Sequence, residues 1–220
     1  AEDFDRLAKA ILDETPNHHD YPPNFDQAAE AVRQGGVVTY GHPVMDGQPD
    51  VFAGDPLTHN AAARELPIDA ILGMAHAVDL MSYNSDEKLS TRLWYRLLNC
   101  GIPLACTGGS DFPFRADLLA PWYPNLGLDR TYARVEGDFT YQGWIEGIRR
   151  GCTFATNGPL LTFTVNGHPP GSELRLEHSQ NRVLVEARAE CNYGLDCLEI
   201  VCNGAVVQRV EGTGGRGVAP

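Results

Sequence analysis

The apolar positions fall into short runs of two alternating periods. Phe4, Leu7, Ala8, Ile11 and Leu12 recur every three or four residues and predict an amphipathic helix that stops before Pro16. Asn24, followed three residues later by Gln27, opens a second helix that ends at Gly35-Gly36. Val37 to Tyr40 reads as a short buried strand running into Gly41-His42-Pro43. Asp55-Pro56 starts a further helix to about Leu66, Asp69 to Leu72 and Val78 to Met81 are apolar runs of strand length, and Glu87 to Cys100 is a helix closed by Gly101. In that helix Trp94, Leu97 and Leu98 fall on the core face. Pro103 to Cys106 predicts a strand entering Thr107-Gly108-Gly109-Ser110-Asp111. After a Pro-rich, aromatic stretch come a strand near Tyr132 to Val135, a helix with Tyr141, Trp144, Ile145 and Ile148 on one face, and a strand at Thr153 to Ala155.

Strands alternating with helices predict a parallel sheet covered by helices, as a barrel or an open sheet. Beyond Leu160 the period falls to two. Leu161, Phe163 and Val165 stop at Asn166-Gly167, and Leu198 to Cys202 meets Asn203-Gly204 before Val206 to Val210. Asn-Gly between alternating runs is a hairpin signal, so this part is expected to be antiparallel. The expected organisation is an α/β unit over 1–159, a small antiparallel β module over 160–211 and a flexible tail over 212–220.

The formal net charge of -12 repels phosphate backbones and anionic lipid, and no apolar run approaches the length of a membrane span, so neither a nucleic acid nor a membrane is an expected partner. The adjacent Arg149 and Arg150 read as the basic end of a helix. None of the six cysteines forms a C-x-x-C pair, and three lie in apolar runs, which predicts reduced core thiols. The N-terminus carries neither an initiator Met nor a signal-peptide pattern. The localisation stays open: a soluble protein, either cytoplasmic or exported with its signal removed.

Several chemical motifs fail on context. Gly212 to Gly217 matches G-x-G-x-x-G but follows a hairpin strand and precedes no helix, so it is not a dinucleotide loop. Ser110 lacks the second glycine of a nucleophile elbow. What remains is that His42 and Asp111 each stand just after an apolar strand in a glycine-flanked turn, at the edge where α/β folds gather ligands. Imidazole and carboxylate are common ligands of zinc, manganese and iron.

The segments around these two residues resemble one family. Gln34-Gly35-Gly36-Val37-Val38-Thr39-Tyr40-Gly41-His42-Pro43, Glu65-Leu66-Pro67-Ile68-Asp69, Trp94-Tyr95-Arg96-Leu97-Leu98-Asn99-Cys100-Gly101, Thr107-Gly108-Gly109-Ser110-Asp111 and Thr156-Asn157-Gly158-Pro159-Leu160-Leu161, in this order, are similar to the CehA/McbA, or carbaryl-hydrolase-like, branch of the PHP superfamily of metal-dependent hydrolases. The resemblance spans about Tyr21 to Gly204. It implies a distorted (β/α) barrel, here partial and followed by the β module, with metal ligands at several strand ends and a metal-activated water as nucleophile. The family's His-Pro turn falls on His42-Pro43 and its Gly-Ser-Asp turn on Ser110-Asp111, which implies His42 and Asp111 as metal and catalytic residues.

The family's opening His-x-His strand, and the Glu and His that follow it, have no counterpart here. The resemblance therefore implies the C-terminal portion of such an enzyme, with an incomplete metal site and little activity of its own. His18 and His19 are the nearby histidines that would substitute, and Asp46 is a candidate carboxylate behind His42. The implied cofactor is a divalent metal (Zn, Mn or Fe), the partner a small-molecule ester, carbamate or phosphoester, and self-association is expected through an incomplete sheet edge. The alternative is a non-catalytic module on a degenerate PHP scaffold, binding a glycan or a protein partner.

Overall fold

The computed structural model describes residues 24–45, 65–83, 85–112, 126–177 and 182–212, and the backbone of 218–219. The helix expected at 4–12, most of the one expected from Asp55, the aromatic stretch 113–123, and His18, His19, Asp46 and His59 lie outside the described residues.

Helix α1 spans Asn24–Arg33. Its first N–H, that of Asn24, donates to the carboxylate of Glu65, 3.0 Å away, which also sets a negative charge at the positive end of the helix. The opposite end closes at Gly35, whose φ of 80° suits a residue without a Cβ. The guanidinium of Arg149 then donates to the carbonyls of Gly35 and Gly36 at 2.9 and 3.2 Å.

Strand β1, Thr39–Tyr40, is shorter than the apolar run that announces it. Helix α2, Leu66–Ile71, occupies most of a segment whose second half reads as a strand. Four or five apolar residues fit either form, and here Pro67 sits in the first helical turn while Asp69 and Leu72 donate to the carbonyls four residues back. Leu66 and Asp69 are buried, whereas Ile68, Ile71 and Leu72 are exposed.

Strand β2 is Ala77–Met81, helix α3 is Glu87–Asn99 and strand β3 is Ala105–Gly108. β1, β2 and β3 form a parallel sheet in that order, with Tyr40 opposite Val78 and Val78 opposite Cys106. On one face Val78 and Leu80 pack with Leu93 and Leu97 of α3 and with Leu66 and Val44; Ala77 and Ala105 meet Ile148 from the other side. Trp94 is half-buried, its indole N–H donating to the carbonyl of Leu104 at 2.9 Å, while Leu98 is exposed.

Strand β4, Arg130–Ala133, helix α4, Tyr141–Arg149, and strand β5, Thr153–Thr156, follow. Although a helix separates them, β4 and β5 pair antiparallel, so the strictly parallel reading of the α/β part is corrected here. α4 packs directly on the end of β4, where a Cβ on Gly147 would lie 2.5 Å from the carbonyl oxygen of Arg134, and the chain returns beside the strand it left. Ile145 and Ile148 of α4 are buried, but Tyr141 is exposed. β5 lies along β3, where Thr153 Oγ1 donates to the carbonyl of Cys106 at 2.8 Å. No barrel closes among the described residues. The architecture is a mixed α/β arrangement of small sheets and helices.

The antiparallel part is present. β6, Leu160–Val165, pairs along its full length with β7, Val185–Glu190, and β8, Cys197–Cys202, forms a hairpin with β9, Ala205–Glu211. Asn203 and Gly204 join that hairpin with φ of 51° and 77°, the turn their sequence predicts. The second Asn-Gly, at 166–167, makes only a tight local turn closed by Val165 and His168. β10, Val218–Ala219, in the segment expected to be a loose tail, pairs with β7. The described cysteines are unpaired; Cys106 packs against the core, while the others are half-buried or exposed. Among the described residues no helix is long and apolar enough to cross a membrane.

Among the polar contacts that bind the parallel sheet to its surroundings, two lie at β1. The Tyr40 hydroxyl donates to Asp69, which is buried, and burial together with that carboxylate pushes the Tyr40 phenol far above its ordinary range. Tyr40→Phe strands the Asp69 carboxyl and is expected to cost about 1–3 kcal/mol in urea denaturation, where a surface tyrosine would cost almost nothing. At the start of β1, Nδ1 of His76 accepts from the N–H of Val38 at 3.2 Å, and burial followed by the nearby Arg149 holds the His76 pKa below its ordinary value. Below about pH 6.5 the unfolded chain takes up a proton at His76 that the folded chain refuses. This contribution to stability is therefore full above the ordinary histidine value and is lost as the pH falls. His76→Asn, which keeps an acceptor but cannot titrate, is expected to show a smaller drop in urea midpoint between about pH 7.5 and 5.5 than the parent.

Candidate functional site at the rim of the parallel sheet

His42 leaves the sheet two residues beyond Tyr40, in a turn pinned by buried Pro43 and Val44. The carbonyl of Val44 accepts from the N–H of Asp86 at 2.9 Å, and Met45 bridges to Ser85, so this turn is tied to the start of α3. Asp86 caps that helix, accepting from the N–H of Leu89 at 2.9 Å. Asp111 leaves the same rim after β3, where the N–H of Gly109 donates to the carbonyl of Met81 at 3.0 Å.

The structure brings these two predicted residues together. His42 Nε2 lies 3.3 Å from Asp111 Oδ2, and His42 Nδ1 lies 3.1 Å from the hydroxyl of buried Ser85. A ring held through one nitrogen presents the other in a fixed direction, the arrangement that orients metal-binding histidines. Both residues also sit in the left-handed backbone region, with φ of 47° at His42 and 49° at Asp111. Among the described residues the other two such non-glycine positions are asparagines in tight turns. A conformation of this kind costs on the order of 1–3 kcal/mol and persists where the surrounding structure enforces it, commonly at functional sites.

A second acidic group of this rim is Asp79, on β2 between the strands that deliver His42 and Asp111. Burial raises its pKa, and the charge of Asp111 adds to the effect, while the hydrogen bond from Thr107 and the field of His42 oppose it. One of its oxygens accepts from the Thr107 hydroxyl, and the other faces Gly41, where an added Cβ would lie 3.9 Å away. Asp79 was missed by a reading that took Val78 to Met81 as a plain apolar run. The available signal was an aspartate inside a strand otherwise buried on both faces. Ser110, rejected as a nucleophile, is buried and accepts from the N–H of Gly127 at 3.0 Å, a structural tie.

An imidazole nitrogen and a carboxylate are donors suited to zinc, manganese or iron. His42 Nε2 and Asp111 are the two that would hold such an ion. Among the described residues no group of three His, Cys, Asp or Glu stands at metal-ligand spacing. The chain matches no protein-family model, no curated protein and no solved structure.

The contact between His42 and Asp111 is half open to water, so its worth as a stabilising pair is small. A double-mutant cycle on His42→Ala and Asp111→Ala is expected to give a coupling of no more than about 1 kcal/mol in urea denaturation. A larger coupling would mark the pair as a structural clamp.

Proposed function

We propose that this chain carries part of a metal-dependent hydrolase site of the PHP type, in the CehA/McbA branch, acting on an ester, carbamate or phosphoester. The observation that carries this reading is the approach of His42 Nε2 to Asp111 Oδ2 at 3.3 Å, from two strained turns at one rim of a parallel sheet. The motifs around both residues support it, as does the crevice beyond parallel strand ends, where α/β folds bind ligands. The finer fold reading, a partial PHP-type barrel with an appended β module, belongs to the same proposal, as does self-association through the edge of β1.

His42 and Asp111 supply the donor atoms, Ser85 holds the imidazole in place, and Asp79 adds negative charge that favours a cation. When bound, a divalent cation supplies Lewis acidity, polarising the substrate and acidifying water near neutral pH.

A second reading, a non-catalytic binding module for a glycan or protein partner, is favoured by a cavity of about 940 Å³ between α3, β4–β5 and the β module. Trp94, Tyr95, Tyr132, Phe154 and Phe163 are among its lining residues, and the rings of Tyr132 and Phe154 stack at 4.9 Å.

Metal binding separates the two readings. Calorimetric titration with Zn²⁺ and Mn²⁺ is expected to show weak binding to the parent chain, since only part of a usual ligand set is present, and none to His42→Ala or Asp111→Ala. Both variants should keep the cooperative unfolding transition. Equal binding by parent and variants would remove the metal reading and leave the binding module.

A further inference from the structure

The cavity of about 940 Å³ between α3, β4–β5 and the β module is walled in part by two strand edges. Among the described residues β6 pairs only with β7, and β8 only with β9. The cavity meets both as unbroken runs, Leu161 to Thr164 of β6 and Leu198 to Val201 of β8. Successive side chains of a strand point to opposite faces, so a cavity that touches four in a row follows the backbone along its edge. Trp94 and Tyr95 of α3, with Tyr132 and Phe154 of the β4–β5 pair, add an aromatic lining.

In an antiparallel pair, alternate residues turn their N–H and C=O towards the neighbour and the others turn away from it. Val165 exchanges both bonds with His168, each at 2.9 Å, so it is one of the residues that turn away from β7. Leu161 and Phe163, two and four residues before it, turn the same way and have no backbone partner there among the described residues. On β8 the N–H of Gly212 donates to the carbonyl of Asp196 at 2.7 Å, which makes these two a bonded pair and turns Cys197 and Glu199 outward. The charges at the cavity are unequal. Arg188 pairs with Glu190 at 2.9 Å and Glu199 with Arg209 at 2.6 Å. Arg134, held by its N–H to the carbonyl of Cys152 at 2.9 Å, makes no side-chain pair with a described residue. A small apolar molecule would fill the volume and leave the outward N–H and C=O of Leu161 and Phe163 unmet. An extended peptide meets both demands, because its backbone continues the ladder while its alternate side chains enter the aromatic lining.

We infer that this cavity is a slot for an extended segment of a partner protein. The segment adds a strand to the free edge of β6, lays apolar side chains against Trp94, Tyr132 and Leu198, and places a carboxylate on Arg134. The inference names the occupant for the binding-module reading of the cavity, on which it rests, and needs nothing from His42 or Asp111.

The test screens the whole chain with a library of random peptides about ten residues long, enough for one strand and its flanks. Selected peptides are expected to alternate apolar and polar residues and to carry Asp or Glu. The strongest is then synthesised with N-methyl groups on one or the other alternate set of amides, which leaves its side chains unchanged. Methylation of the set that faces β6 is expected to weaken the Kd from calorimetry by at least about tenfold, and methylation of the other set to change it by less than about threefold. On the protein side, Leu161→Pro removes an N–H that β7 does not use, so it should abolish peptide binding and keep the cooperative unfolding transition. Arg134→Met should weaken binding of the acidic peptide and leave the melting temperature unmoved. A library that enriches no peptide, selected peptides indifferent to methylation of either set, or full affinity in both variants would each overturn the slot. Binding of cellohexaose at this cavity with no peptide selected would overturn the strand and keep the binding module, so the two failures are distinct.

Discussion

The parallel pairing of β1, β2 and β3 is the constraint on which the site depends. Parallel strands bring their C-terminal ends to one edge, so the segments that follow Tyr40 and Gly108 emerge at the same edge, on either side of β2. His42 and Asp111 are far apart in sequence, and only this register places their side chains within 3.3 Å. The same pairing sets Asp79 and Thr107 opposite each other, so the carboxylate on the middle strand is held at one oxygen and free at the other.

What surrounds the sheet makes that register stable and the rim costly. Leu66, Val78, Leu93 and Val44 form a dry core on one face, and the bond from Tyr40 to Asp69 fastens β1 to α2 inside it. Against this stand two left-handed non-glycine residues and a half-buried aspartate whose ionised form is disfavoured. Each costs stability, and all belong to the strands and turns of one rim. A stable core with its unfavourable groups gathered at one edge is the arrangement on which the proposed metal site rests.

The sequence was most legible where local chemistry decides the outcome. Helix α3 ends at Gly101 as its pattern predicts, and the Asn203-Gly204 hairpin follows from the two residues at its turn. It was least legible in short apolar runs. Asp69 to Leu72 fits a strand as well as a helix, and the helix forms because Pro67 suits a first turn and Asp69 finds Tyr40. Strand direction was equally hidden: β4 and β5 flank a helix like a parallel pair, yet the close approach that Gly147 allows sends the chain back alongside itself.

For the candidate site, the sequence by itself determined which residues stand at strand ends: His42 and Asp111 follow apolar runs and are flanked by glycine, a local pattern. It could not determine what those residues meet. The Ser85 hydroxyl on the His42 ring and the Asp79 carboxylate near it are separated along the chain from His42 and joined to it only by strand register and helix packing. Periodicity records which face of its own element a side chain occupies, whereas an electrostatic environment is the sum of whatever the fold brings to that face, so only the tertiary structure decided it.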